Sequence, residues 1–145
     1  MARFAIAGRG TVAGTTVRAQ ASLFATAACQ PRIREIHVFN TTATTTAVAV
    51  VRFTNATGVG AGLTEVPLDD PTKVAVGTGF AGHTADGAVG SPIRQASLAA
   101  AIGAGVIWTF GGNGLEIPVG TANGVGIIIP TGTGQVCDYV FEWEE

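Results

Sequence analysis

Apolar and polar positions alternate along much of this chain with a period of two, the repeat of a β-strand that buries one face. The clearest case is the C-terminal run, where Cys137, Tyr139, Phe141 and Trp143 share one face and Asp138, Val140 and Glu142 the other. The odd positions are therefore expected in a core. A second run covers Thr46 to Thr54, with Ala47, Ala49, Val51 and Phe53 on one face and Val48, Val50, Arg52 and Thr54 on the other. Both faces are fairly apolar, which predicts a central strand. Ile33 to Phe39 reads as a strand joined to it by a hairpin through Asn40, Thr41, Thr42, Ala43, Thr44 and Thr45. Further strands are expected at Thr15 to Thr26, Val74 to Val76, Val106 to Phe110, Leu115 to Pro118 and Val125 to Ile129. Two of these follow Asn-Gly pairs, Asn113-Gly114 and Asn123-Gly124, which favour tight hairpin turns. The total is about eight to ten short strands, each bounded by turn residues.

Only Gln95 to Ala104 invites a helix, with Leu98, Ala99 and Ile102 at helical spacing. Gly103 and Gly105 cut it short, so helix and non-helix both stay open there. Parallel α/β folds need a helix between successive strands, and those helices are missing. What remains is a sandwich or a closed barrel. The expected fold is all-β, a single-domain β-sandwich of jelly-roll-like type, spanning residues 15–145. Residues 1–14 are expected to form an N-terminal arm. Gly8, Gly10 and Gly14 make that segment costly to order alone, while Arg3, Phe4, Ile6 and Arg9 offer anchors for binding a partner. The alternative is an edge strand of the same domain at Arg3 to Ala7.

Composition sharpens the picture. At 145 residues the chain fits one domain. Hydrophobic residues make up 47% and charged residues 12%, about half the usual quarter, so surface is expected to be buried against partners. Self-association follows from that excess of apolar surface. Apolar stretches such as Ala47 to Val51 and Ile127 to Ile129 fall far short of the roughly 20 residues of a membrane helix, and no membrane partner is expected. The apolar patch after Arg3 ends at Gly8, too soon for a signal-peptide core. Net charge is -2, unevenly spread. Residues 1–34 hold Arg3, Arg9, Arg18, Arg32 and Arg34 and no acid, whereas beyond Arg94 there are only Glu116, Asp138, Glu142, Glu144 and Glu145. Such a positive start and negative end could meet within one molecule or between neighbours.

Candidate chemistry is sparse. Gly77-Thr78-Gly79-Phe80-Ala81-Gly82 has the spacing of a dinucleotide-binding loop, but His83-Thr84-Ala85-Asp86-Gly87 continues as loop where a helix is required. His37 and His83 stand at no metal-ligand spacing, and no metal or cofactor is expected. His37 lies in a strand as a hydrogen-bonded or interface side chain, and His83 in a loop. Ser22, Ser91 and Ser97 lack a nucleophile elbow, and Asp69-Asp70 before Pro71 reads as solvated or capping carboxylates. No catalytic centre is expected. Cys29 and Cys137 read as buried free thiols. Asn40-Thr41-Thr42 and Asn55-Ala56-Thr57 are formal glycosylation sequons without other signs of secretion. With one lysine and scattered arginines, no nucleic-acid platform is expected.

Four segments together carry a resemblance: Pro31 to Asn40, Gly105 to Gly111, Ile117 to Ile127 and Cys137 to Glu144. With the glycine-rich, arginine-bearing N-terminus and the aromatic last strand, their strand-turn-strand rhythm resembles the small jelly-roll decoration, or cement, proteins of tailed-bacteriophage capsids. The resemblance implies a structural virion protein, assembled in the host cytoplasm, that sits on the capsid surface, often as a trimer. Its partner would be the major capsid protein, whose inter-subunit joints it would reinforce, and no catalytic residues come with it. Two other classes stay open: another virion component, such as a tail or head-fibre protein, and a carbohydrate-binding jelly-roll module, for which few stacking rings such as Trp108 or Trp143 are available, both in apolar strands assigned to the core.

Overall fold

The computed structural model describes residues 1–54, 60–131 and 135–145. Among them the chain forms twelve strands and no helix. These are β1 (Arg3–Arg9), β2 (Ala21–Phe24), β3 (Arg32–Asn40), β4 (Thr46–Phe53), β5 (Ala61–Gly62), β6 (Val66–Pro67), β7 (Thr78–Ala81), β8 (Val89–Leu98), β9 (Gly105–Thr109), β10 (Leu115–Glu116), β11 (Gly124–Thr131) and β12 (Cys137–Glu144). They make two antiparallel sheets. One runs β10-β3-β12-β1-β6, with β9 also on β3, and the other β5-β7-β2-β11-β4-β8. The expected all-β sandwich is the architecture found.

The core follows from the period-two pattern. Cys137, Tyr139, Phe141 and Trp143 on β12 are all buried, and they meet Phe4 and Ile6 of β1 and Ile33, Ile36 and Val38 of β3. The second sheet contributes Leu23, Val48, Val50, Val125, Ile127 and Ile129 to the same cluster. Phe4 stacks on Trp143 with ring centroids 5.8 Å apart. β4 is flanked by β11 and β8, as a central strand should be. Its other face enters a smaller cluster of Ala19, Phe24, Ala49, Val51, Phe53 and Ile128 on the far side of the second sheet. Two loops lie against that side, held where His83 N–H donates to Ala19 O and Gly87 N–H to Val17 O.

Several expectations are corrected. Residues 1–14 do not form a free arm: Arg3–Arg9 pairs with β12 along its whole length, and Phe4 and Ala5 also pair with β6. Burial of Phe4 and Ile6 in the chain's own core is what holds it there. Gln95 to Ala104 is not a helix, because its first part belongs to β8 and its ladder to β4. The ladder satisfies the backbone groups that a helix would have satisfied internally. Asn40 to Thr45 is no hairpin, since β3 and β4 lie in different sheets and the segment crosses between them. Asn113-Gly114 does not turn a hairpin either: β9 and β10 both pair with β3, and Gly114, at φ 65°, lies in the loop that separates them. Asn123-Gly124 links strands of different sheets as well, β10 and β11. Val74 to Val76 is loop. The sequon at Asn55 lies outside the described residues.

Candidate functional site

The positive start and the negative end meet within the molecule. Because β1 runs antiparallel to β12, Arg9 stands opposite Asp138, and its guanidinium forks onto that carboxylate at 2.7 and 2.9 Å. Arg3 makes a similar fork onto Asp69, at 2.8 Å for the shortest contact. Arg18 pairs with Asp86, Arg32 with Glu116 and Arg34 with Glu144. Arg3 keeps the Asp69 carboxyl below its usual range, and Arg9 does the same to Asp138. Of the four residues expected to anchor an arm, Phe4 and Ile6 are therefore core, while Arg3 and Arg9 remain exposed on the sheet's outer side in ion pairs.

That outer side of the first sheet is a platform whose rows follow from the registers. Ile107, His37, Val140 and Ala7 form one row across β9, β3, β12 and β1. The next row is Thr109, Glu35, Glu142 and Ala5. Ile107 is exposed, and His37, Val140, Glu35 and Glu142 are half-buried. His37 Nε2 lies 2.9 Å from Glu35 Oε2, which places it as the hydrogen-bonded strand residue expected from sequence. Phe39 meets the same ring edge-on at 6.5 Å.

An open cleft of about 530 Å³ lies where the two ends of the chain come together. Ala2 and Glu145 exchange backbone hydrogen bonds there, and Phe4, Cys29, Asp69, Asp70 and Lys73 line the walls. The Glu145 carboxylate reaches back into the fold, accepting from the Val76 and Gly77 amides, the Cys29 thiol and the Trp143 indole. Burial and that carboxylate push the Cys29 thiol up to about 12, and burial takes Cys137 to about 11, so both stay protonated and unreactive at neutral pH. Both are free thiols. Asp70 caps the turn before Lys73 by accepting from the Thr72 amide and hydroxyl, the capping role read from sequence. Around the mouth the side chains of Met1, Val74 and Val76 are exposed, and Leu68, hydrogen-bonded to the Arg3 carbonyl, is exposed close by.

His83, read from the sequence as a loop residue, does lie in a loop, and the structure buries it. Its Nε2 lies 2.7 Å from Ser22 Oγ, and its ring packs between Phe24 and Phe53. Burial pushes the imidazole below its ordinary range. Both side chains are buried, so each group satisfies the other inside the fold. The glycine-rich run at 77–82 forms β7 and its flanking turns, with no helix after it. Trp108 and Trp143 are both buried.

A scan of protein-family models, a search of curated proteins and a search of solved structures each found no match to this chain.

Proposed function

We propose that this chain is a structural virion protein that binds the outer surface of an assembled capsid and stabilises contacts between major capsid subunits, with no catalytic step. The observation that carries this reading is the apolar rim of Met1, Val74 and Val76 around the open cleft, with Leu68 exposed beside it, on a chain whose charged share is only 12%. Buried against a partner, such side chains gain roughly 25 cal/mol per Å². They lie at the N-terminus and in the segment between β6 and β7, which the Leu68 and Val76 amides tie to Arg3 and Glu145 of the fold, so docking has less chain to order. We read the two-sheet fold as jelly-roll-like, in keeping with the resemblance to cement proteins, and the working form as a trimer. The sugar-binding alternative loses support because the tryptophans it relied on lie in the core.

Sedimentation of the purified chain followed by co-sedimentation with assembled shells tests this reading. The expected results are a species of three times 14.6 kDa and saturable pelleting with the shells. A chain that stays in the supernatant at all shell concentrations would overturn it.

A further inference from the structure

We propose that Glu35, His37 and Glu142 form a divalent-metal site of the zinc class on the outer face of the first sheet. The three potential ligand atoms already lie within 4.8 Å of one another. Zinc ligands sit about 2.0–2.2 Å from the ion, which puts neighbouring ligands roughly 3.3–3.6 Å apart in a tetrahedron. His37 Nε2 and Glu35 Oε2, now 2.9 Å apart in a hydrogen bond, part slightly to admit the ion, and the Glu142 carboxylate draws in from within 4.8 Å. The ladder sets the spacing: Glu35 and His37 are two apart on β3, and Glu142 stands directly opposite Glu35 on β12, in the last pair before the register shift between Glu142 and Trp143.

Charge makes the case independently of spacing. Two carboxylates directly opposite across a ladder repel each other and destabilise it. Everywhere else on this sheet an acid has its arginine: Asp138 has Arg9, Glu144 has Arg34 and Glu116 has Arg32. Arg3, across the sheet on β1, is committed to Asp69 and acts on Glu142 only as a minor, longer-range charge. Glu35 pairs only with His37, and Glu142 has no ion pair among the described residues. A cation between them removes the repulsion that the chain's own bases leave standing. Ile107 and Val140 are the cross-strand neighbours of His37. Imidazole with two carboxylates suits zinc better than magnesium, which prefers all-oxygen octahedra. Three protein ligands leave a position for water. The site does not depend on the capsid reading, and nothing in the sequence spacing displays it, because Glu142 joins only through the β3–β12 register.

Calorimetric titration of the chelator-treated full chain with zinc chloride tests it, alongside thermal melts with and without the ion. One ion per chain and a raised melting temperature are expected, with magnesium chloride giving neither. Glu142→Gln keeps the side-chain shape and His37→Ala removes the nitrogen ligand. Each should weaken binding by at least the roughly 10–100-fold that loss of a mere outer-shell partner costs. Melts in chelator establish that the variants fold, and Glu142→Gln carries the test should His37→Ala perturb the strand. Absence of binding to the parent chain, or binding unchanged in Glu142→Gln, overturns the proposal.

Discussion

Trp143 has no exposed surface and lies between Phe4 and the rest of the β12 face, with its indole N–H bonded to Glu145. Replacing such a side chain leaves a cavity, and Trp143→Ala or Phe141→Ala should each cost about 3–5 kcal/mol in chemical denaturation. Both positions were legible in the sequence, since strict alternation over seven residues assigns a face without knowledge of any partner strand. His83 was not legible. Its burial comes from a loop lying over the second sheet beside Phe24 and Phe53, a contact that local pattern cannot announce. A histidine buried neutral binds its proton more weakly in the folded than in the unfolded chain, so the unfolded state takes up protons first as pH falls. The groups facing His83 are the Ser22 hydroxyl and two phenyl rings, with the Arg18–Asp86 pair on the flanking loops. Stability should therefore be full above pH about 6.5 and decline progressively below it. Melting temperatures across that range check this, and His83→Gln, which can keep the bond to Ser22, should flatten the slope.

At the scale of elements, β1 tests how the molecule is held together. The glycines in and just after it, Gly8, Gly10 and Gly14, suggest a loose arm when read in isolation, yet they mark close packing. A Cβ on Gly10 would lie 2.6 Å from Gln20 Oε1, the atom that accepts the Cys137 amide proton. Deleting residues 2–14 should therefore abolish cooperative folding, whereas an arm would leave the melting temperature nearly unchanged. Calorimetry on the truncated chain distinguishes the two. Most strands were visible from alternation and turn residues, but the partner of each strand was not. β3 and β4 are adjacent in sequence and lie in different sheets, because Asn40 is buried and its amide bonds Thr44 O and Ala99 O where the chain crosses over. Likewise the helical spacing within Gln95 to Ala104 was real, and it lost to the long ladder of β8 on β4.

For the whole molecule, the uneven charge of the sequence resolves inward, with arginines from the first 34 residues neutralising acids from across the fold. What remains outward is an apolar rim at the cleft and a half-apolar platform on the first sheet. The platform's Glu35, His37 and Glu142 were each visible as residues, while their meeting depended on a register that the sequence does not print. The proposal that the chain reinforces a capsid rests on that outward surface and on the rigidity beneath it. Electron cryomicroscopy of particles produced with and without this gene tests the proposal most directly. The account predicts additional density for a small sandwich on the outer surface at the joints between capsid subunits, present only when the gene is present. Identical shells in both preparations, or density confined to the tail or fibres, would contradict it.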